Sequence, residues 1–403
     1  MTVEQQLILR VLGGSLCQQP PAEPPKTREF HWDRAVEESH AQAVAAIFLN
    51  GIAGFSEQLP EQEYQKLFKF ARRYTAHNMR TEYLQQTLVK LLEQEQCPYV
   101  IIKGEAAAAY YPVPEHRLLG DVDFMVPEDR AEQIIERLKQ QGYEHSCKED
   151  EYHQILKKGT ERMELHFEVA GIPQGNAGAA IRAYLADVFE QRRLVQGSAG
   201  DFYAPSHAHH GLIILLHMQH HMTSTGVGLR QLMDWACFVE RTRQEPFWET
   251  QLLPLLKQIG LLYYSVVVTK MCSLYFGQEC PHWACNADEE LCRELMEDLL
   301  AGGNFGRKDQ SRARSGSILP DWTGQEKKKS NTALLYHTLR CSVLKQRPEL
   351  ERKPVLLFGK MMGKVCRYLW LQCTGRRPDL KNVMKHLEER KSVYERLRMY
   401  EPE

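Results

Sequence analysis

Apolar residues recur every three or four positions over the first part of the chain, which is the spacing of one face of a helix. The pattern runs through EFHWDRAVEESHAQAVAAIFLNGI and YQKLFKFARRYTAHNMRTEYLQQTLVKLLEQEQ, and the proline-rich QQPPAEPPK precedes both segments. This spacing predicts helices, and clustered prolines predict a loop. We therefore expect residues 1–95 to form a helical region.

Short β-branched runs replace the helical spacing between residues 97 and 170. PYVIIKG, RLLGDVDFMV, YHQILKK and ERMELHFEV are typical of strands, and the last two are joined by a GT turn. EAAAAYY and EDRAEQIIERLKQQGY are typical of helices that stop at Pro112 and Gly142. The order β-α-β-α-β-β predicts a small α/β (α+β) domain on one mixed sheet, which we assign to residues 96–200.

Helical spacing returns near residue 205 and continues to the end of the chain. A glycine-rich break, AGGNFGRKDQSRARSGS, separates a helical domain at 201–302, expected to pack on the cleft of the sheet domain, from a helical region at 303–403. Within the break, GRKDQSRARSG is predicted to be a flexible basic loop that either folds over a phosphate or is disordered.

The charge is unevenly distributed along the 403 residues. The whole chain has a net charge of −1, but residues 303–403 carry 23 Lys and Arg against 11 Asp and Glu. A basic terminal region can bind nucleic acid or another polyanion. Solvated helix faces explain the same excess and are the simpler interpretation.

The N-terminal pattern, the lengths of the apolar runs and the cysteine spacing together predict a cytoplasmic protein. The N-terminus has no basic segment followed by an apolar one, and no run of about 18 uninterrupted apolar residues is found. The 11 cysteines are irregularly spaced, which predicts reduced thiols. Zinc could be held by Cys280, His282, Cys285 and Cys292, but no second tight pair follows, and ordinary cysteines are favoured.

Two aspartates interrupt the strand-like run LLGDVDFMV. Because alternate side chains of a strand share a face, Asp121 and Asp123 point to one side while Val122, Phe124 and Val126 point into the core. Carboxylates two residues apart lie about 6.5 to 7 Å apart along a strand. At that spacing their side chains can converge on one or two divalent ions.

A second acidic strand repeats this alternation. In RMELHFEV, Glu164, His166 and Glu168 share one face. If this strand neighbours the first, a third carboxylate joins the aspartate pair; Glu164 is the expected residue and Glu168 its competitor. Such oxygen ligands suit Mg²⁺ or Mn²⁺. Half-exposed strands with acids on their solvated side are the alternative explanation.

A candidate phosphate site precedes the aspartates. Lys103 and Gly104 stand at the end of one strand and the start of a helix, where a glycine lets the backbone approach a phosphate and helix amides can donate to it. Lys103 and Arg117 add positive charge where a triphosphate would lie.

These residues together resemble the DNA polymerase β-like nucleotidyltransferase superfamily, with its glycine turn, D-h-D strand and later third acid. More narrowly, IIKGEAAAAYYPVPEHRLLGDVDFMV, ELHFEV, GLRQLMDWACFVE and GGNFG are similar to a family of uncharacterised nucleotidyltransferases. The chain departs from the superfamily at Glu105, where a second Gly or Ser is usual, and in the long spacing from Gly104 to Asp121.

The resemblance implies a metal-dependent enzyme that moves an NMP group from an NTP, expected to be ATP, to an unidentified hydroxyl acceptor. It implies Mg²⁺ or Mn²⁺ as the cofactor, held by Asp121, Asp123 and Glu164, which are also the catalytic residues. Phosphate binding would fall to Lys103, Gly104 and Arg117. The alternatives are a non-catalytic nucleotide- or partner-binding module on the same fold and a nucleic-acid binder that uses the basic C-terminal helices.

Two further patterns lie in the helical domain. In HAHHGLIILLHMQHHM, spanning His207 to His221, His210, His217 and His221 fall near one helix face, and the last two have metal-ligand spacing. They could bind metal, contact the substrate or stabilise the bundle; the H-E-x-x-H glutamate of zinc hydrolases is missing. Arg230 and Asp234 are four residues apart and predict an intrahelical ion pair or a contact that orients the domain.

Overall fold

The fold is mixed α+β, mostly helical, with a small mixed sheet, as the sequence predicted. It is seen in a computed structural model that describes residues 1–145, 153–316, 318, 330–344 and 347–401. The helices are α1 (Val3–Leu16), α2 (Trp32–Ala41), α3 (Ala45–Gly51), α4 (Glu61–Gln94), α5 (Glu105–Ala108), α6 (Glu128–Gln140), α7 (Asn176–Tyr184), α8 (His207–Met222), α9 (Leu229–Thr242), α10 (Leu253–Gln258), α11 (Leu262–Phe276), α12 (Glu289–Gly302), α13 (Gln310–Gly316), α14 (Asn331–Leu344), α15 (Pro354–Cys373) and α16 (Leu380–Arg396).

The strands form two sheets. Their bounds are β1 (Val100–Ile101), β2 (Val122–Met125), β3 (Glu144–His145), β4 (His153–Lys158), β5 (Glu161–His166), β6 (Arg193–Val195) and β7 (Phe202–Ala204). The first five strands form one sheet in the order β1-β2-β5-β4-β3, while β6 and β7 form a separate antiparallel pair. Among the strands of the described residues, the β2–β5 pairing alone is parallel. The mixed sheet was predicted, but β3, β6 and β7 were not.

The N-terminal helices confirm the helical spacing of the sequence. Helix α1 begins with a capping box, in which the Gln5 backbone N–H donates to Thr2 Oγ1 (3.3 Å) and the Thr2 N–H donates to Gln5 Oε1 (2.9 Å). Helices α2 and α3 are separated at Ala43, which has φ +58°. The apolar spacing continues across this break, so the sequence pattern did not reveal it.

Strand β2 has the alternation that its sequence predicts. Val122, Phe124 and Val126 are buried in a core that also includes apolar residues of α4 and α6. Phe124 is 0% exposed. Burying an aromatic side chain of this kind contributes about 2–3 kcal/mol from its apolar surface. The apolar face therefore fixes which side of β2 carries the aspartates.

The helical region around α8, α9 and α11 has a continuous apolar core shared with α1 and α3. Gly211 on α8 lies under the Phe238 ring of α9; a Cβ at position 211 would come within 2.5 Å of that ring. The buried Trp235 indole N–H donates to Thr269 Oγ1 at 2.9 Å. Close packing of α8 on α9 brings the histidine-rich helix to the edge of the sheet domain.

The predicted flexible basic loop is wrong for residues 310–316, which form α13. Asp309 Oδ1 accepts hydrogen bonds from the Ser311 and Arg312 backbone N–H groups at the start of this helix. Arg312 Nε then donates to Asp298 Oδ1 of α12 at 2.8 Å. Asp309 and Asp298 therefore give the basic segment the local partners that hold it as a helix.

The candidate zinc residues do not form a metal-binding group: within the described residues, no three of Cys280, His282, Cys285 and Cys292 bring their ligand atoms together. Cys292 is buried with its thiol directed at Val267 O (3.5 Å), and the Cys285 thiol contacts Pro281 O (3.3 Å). In the part of the chain that the structure describes, no helix is both long enough and apolar enough to span a bilayer. The proposed division at 1–95, 96–200, 201–302 and 303–403 stays a prediction.

Candidate active site

The register of β2 against β5 forms an acidic cluster. Asp123 lies opposite Glu164 in the parallel pairing, and both side chains belong to the face predicted from the alternation. His166 Nε2 lies 2.8 Å from Asp123 Oδ1 and 3.6 Å from Glu164 Oε2. All three residues are buried, and one ligand atom from each lies within 4.8 Å of the others. Among the described residues, this is the one group of three or more potential metal ligands.

Lys103 completes the cluster from the loop after β1. Its Nζ donates to Asp123 Oδ1 at 2.9 Å, so this oxygen contacts both a lysine and a histidine. Burial by itself would raise the pKa of Asp123, but Lys103 and His166 outweigh it and hold the pKa below the ordinary value. Asp123 is therefore a carboxylate at neutral pH.

Asp121 lines the same cavity but lies outside the tight cluster. Its side chain is 38% exposed, and its Oδ2 lies 3.0 Å from Arg162 Nε. Burial raises the pKa of Asp121 to about 6; Arg162 opposes the rise, while Glu164 and Asp123 add to it. Two carboxylates that looked equivalent in the sequence thus have different environments.

The two candidate third acids separate clearly in space. Glu164 lines the cavity and contacts Arg162, with His153 Nε2 at 3.7 Å. Glu168 follows the end of β5 and pairs with Arg182 of α7 instead. The geometry favours Glu164. The sequence placed His166 on the same strand face as Glu164 but assigned it no role. Alternation along one strand shows which face a side chain occupies, but not which residue of the neighbouring strand it contacts.

The glycine turn has the backbone conformation that only glycine readily adopts. Gly104 has φ +58° and ψ −120° and lines the cavity beside Lys103. Helix α5, which follows, is only four residues long, so it has no full helix N-terminus to offer a phosphate. Glu105 is buried away from the cavity lining, where it accepts hydrogen bonds from Gln85 and from Ser198 Oγ (3.2 Å). Burial, with help from Glu82, raises the pKa of Glu105 to about 7.

Arg117 has a partner that the sequence did not indicate. Its Nε and Nη2 donate to the two oxygens of Asp234 at 2.7 and 2.8 Å, and Tyr111 Oη donates to Asp234 Oδ1 at 2.7 Å. Of the two alternatives predicted for Arg230 and Asp234, the intrahelical ion pair is wrong, and contacts from α9 to the segment beside the cavity are found instead: within the described ranges, the ion pair of Asp234 is with Arg117. Arg230 Nη1 donates to Leu118 O at 3.0 Å. Arg117 still lines the cavity, but a buried bidentate pair holds its charge.

The α8 histidines divide into two groups. Near its start, His207 and His210 each place Nδ1 3.1 Å from Tyr110 Oη, well inside the helical packing. Near its end, His217 Nε2 and His221 Nε2 lie 2.9 Å apart and both residues line the cavity. Burial, reinforced by Lys103, lowers the pKa values of His217 and His221 well below the ordinary value. These two imidazoles are therefore neutral at pH 7.

The cavity that joins these groups has a volume of about 560 Å³. Its lining includes four cationic side chains and four acidic ones: Lys103, Arg117, Arg230 and Arg307, with Asp121, Asp123, Glu164 and Asp234. Further wall residues come from α4, α8 and the GGNFG turn. The formal charges of these groups balance, so a polyanionic ligand would gain from an accompanying cation.

A mixed sheet with facing acids on parallel neighbours, beside a glycine turn and a lysine, defines a nucleotidyltransferase-type domain. The chain belongs to the family of uncharacterised nucleotidyltransferases, whose profile it matches over residues 28–277, more than half of its length. The match covers α4, the five-stranded sheet and helices α8 to α11, and so contains the acidic cluster. A search of curated proteins finds no match for the chain.

Proposed function

We propose that this protein transfers a nucleotidyl group from an NTP, most simply ATP, to a hydroxyl acceptor. The observation that carries the proposal is the position of Asp123 opposite Glu164 on two parallel strands, at the wall of a cavity of about 560 Å³. Family membership supports nucleotidyl transfer in general, and the acceptor stays open.

The donor set fits a divalent ion. Asp123, Glu164 and His166 would hold it, with Asp121 adjoining them on the same strand face. Carboxylate oxygens suit Mg²⁺, and the imidazole nitrogen makes Mn²⁺ equally suitable. When bound, such an ion neutralises charge on the triphosphate and on the leaving pyrophosphate. His166 turns Nε2 toward the acids. Its other ring nitrogen, Nδ1, is buried and has no hydrogen-bond partner among the described residues.

Lys103 and Gly104 are proposed to bind the phosphates. Lys103 Nζ already lies at the acidic cluster, and its flexible side chain can move from Asp123 to a phosphate oxygen. The positive φ of Gly104 leaves its backbone open on the cavity side; the nearest heavy atom to a Cβ built there is Asp121 O at 3.9 Å. Arg117 is proposed to hold this side of the cavity in place through its ion pair with Asp234. It would add positive electrostatic potential near the phosphates without contacting them directly.

Catalysis by these groups would rest on positioning and on charge. Phosphoryl-type transfer requires little covalent chemistry from the protein. Most of the rate enhancement comes from positioning the reactants and from stabilising the charge of the transition state. Glu164, between Arg162 and the histidines, is proposed to accept the proton of the acceptor hydroxyl. The neutral His217–His221 pair forms part of the wall and adds no charge to the site.

The decisive experiment is incubation of the protein with each labelled NTP and Mg²⁺ or Mn²⁺, with pyrophosphate release and label transfer as readouts. Asp123→Asn and Glu164→Gln should reduce turnover by at least about a hundredfold, since each removes a charged ligand. Glu168→Gln is the matched control, because Glu168 pairs with Arg182 outside the cavity, and it should keep full activity.

Other outcomes separate the alternatives. Nucleotide binding without turnover across a broad acceptor screen would show a binding module on the same fold. Salt-sensitive binding to DNA or RNA that survives both Asp121→Asn and Asp123→Asn would instead assign function to the basic C-terminal helices.

A further inference from the structure

The turn Gly303–Gly306 carries an aromatic side chain to the cavity wall. Phe305 lines the cavity and remains 39% exposed, whereas the core ring of Phe124 is 0% exposed. Its backbone has φ +54° and ψ +36°, a left-handed conformation that is unusual for a bulky residue. Strain of this kind persists only where the surrounding structure enforces it, and it concentrates at functional sites.

The surroundings of Phe305 do enforce that conformation. Gly303 and Gly306 on either side have φ +69° and +68°. The N-cap of α9, Gly228, packs so closely that a Cβ there would lie 2.6 Å from Asn304 Cα. The turn is thus fixed against a rigid helix rather than held by the burial of the phenyl ring.

Two cavity residues orient the ring. The His221 and Phe305 rings meet edge to face with centroids 4.8 Å apart, and the Arg230 guanidinium carbon lies 5.2 Å from the Phe305 centroid. Arg230 is itself anchored to Leu118 O. An aromatic side chain that is oriented by its neighbours but left accessible in a polar cavity is suited to receive a flat ligand group.

We propose that Phe305 is the stacking platform for the nucleobase of the NTP. The inference rests on the proposed function and adds the base subsite to it: the acidic cluster would take the triphosphate end and the GGNFG turn the base. Since every base has a π-face, stacking on Phe305 predicts affinity for nucleotides with little selectivity among bases.

The test compares the binding of ATP and of inorganic tripolyphosphate, both with Mg²⁺, by calorimetry. Phe305→Leu should weaken ATP binding about ten- to a hundredfold and leave tripolyphosphate binding unchanged; Phe305→Tyr should restore ATP binding. Unchanged melting temperature and Mn²⁺ affinity of Phe305→Leu serve as the fold control. An equal loss of affinity for both ligands, or an unchanged affinity for ATP, would overturn the stacking role of Phe305 and leave the proposed function standing. If the unaltered protein binds neither ligand, the proposed function fails and the base subsite fails with it.

A second, independent feature is the exposed apolar face of α15, which lies beyond the family match. Val355, Phe358, Met362, Val365 and Leu369 are spaced three and four residues apart, so they form one stripe along the helix. Val355 is 83% exposed and Trp370, beside the stripe, is 60% exposed. A neighbouring side of the helix, about a quarter-turn from the stripe, buries Leu357 and Met361 against α14 and the residues that follow it.

The charge of α15 indicates what would cover this face. Its 20 residues include Lys360, Lys364 and Arg367 and no acid. Two copies of the helix would each carry three cations and no acid, so the repulsion between their net charges disfavours self-association. An apolar stripe with a tryptophan beside it and cations on the side away from it is the composition of a helix that lies in a membrane interface.

We propose that α15 binds the surface of an anionic lipid bilayer. The test is co-sedimentation of the full chain with phosphatidylcholine vesicles, with and without about a third phosphatidylglycerol. Binding should require the anionic lipid, weaken with added salt, and be lost in Phe358→Ser with Trp370→Ser; Phe68→Ser, an exposed phenylalanine on α4, is the control. Absence of binding to either vesicle would overturn the proposal, as would a dimer in sedimentation equilibrium that the same α15 substitutions dissociate.

Discussion

Lys103 forms a 2.9 Å ion pair with Asp123, so the proposed phosphate-binding lysine and the central acid of the cluster are direct partners. Both side chains are largely buried. Under the proposed function, the same carboxylate would also hold the divalent ion. Lysine and metal would therefore compete for Asp123, and a triphosphate that attracts the lysine would relieve that competition.

Replacement of this lysine should move two affinities in opposite directions. In Lys103→Met, Asp123 keeps only His166 as a partner, so Mn²⁺ binding should strengthen by about tenfold, while tripolyphosphate binding should weaken by about tenfold or more. Calorimetric titration with each ligand measures both. Lys257→Met, at an exposed position on α10, should change neither. Weaker binding of both ligands would show that Lys103 acts only through the fold.

The inward face of β2 should dominate the local stability of the sheet. Phe124 is fully buried, so Phe124→Ala leaves a cavity and should lower the free energy of unfolding by about 3–5 kcal/mol. Phe167, just after β5, is 40% exposed, and Phe167→Ala should cost less than about 1 kcal/mol. Urea unfolding of both variants measures the difference. Similar costs at the two positions would contradict the difference in burial between the two rings.

The elements of the sheet domain could be predicted because each depends on local pattern. Alternation in LLGDVDFMV gave the burial of Val122 and Phe124, and the same rule placed Glu164 and His166 on one face of the next acidic strand. The sequence did not show that the strands are parallel neighbours with Asp123 opposite Glu164. Register depends on contacts between distant segments, which local periodicity does not encode.

The parts that were missed depend on long-range partners. Arg230 and Asp234 have ideal helical spacing, yet Asp234 pairs with Arg117, more than a hundred positions away, because the bidentate geometry satisfies both buried groups. The role of His166 was missed for the same reason.

Strands β3 and β6 are two and three residues long, too short to leave a periodic signal.

The Arg117–Asp234 pair should be a point of high sensitivity. Removal of one partner leaves a buried charge alone, so Asp234→Leu should lower the free energy of unfolding by about 3–5 kcal/mol. The double variant Arg117→Met with Asp234→Leu should recover much of that loss, since no isolated charge remains. Chemical denaturation of the single and double variants gives the coupling. Glu279→Gln, which removes an exposed partner of Arg243, should leave stability unchanged. Additive losses in the double variant would show that the two side chains act independently.

Glu105 should make the stability of the protein depend on pH near neutrality. Its pKa is raised to about 7 in the folded state from an ordinary value of 4.5, because burial penalises the charged form. Between these two values the folded protein holds a proton that the unfolded chain has released, so stability falls as pH rises through this window. The contribution is fully present below about pH 4.5 and is lost by the time the pH exceeds about 7.

Glu105→Gln removes this dependence because the amide does not ionise. The variant should match the unaltered protein near pH 4 and exceed its free energy of unfolding by about 3 kcal/mol at pH 8. Urea unfolding at several pH values measures the divergence, with the exposed Glu132→Gln on α6 as the matched control. A constant difference between Glu105→Gln and the unaltered protein across this range would contradict the raised pKa. Nucleotide affinity measured alongside would show whether ionisation of Glu105 also disturbs the neighbouring Gly104 turn.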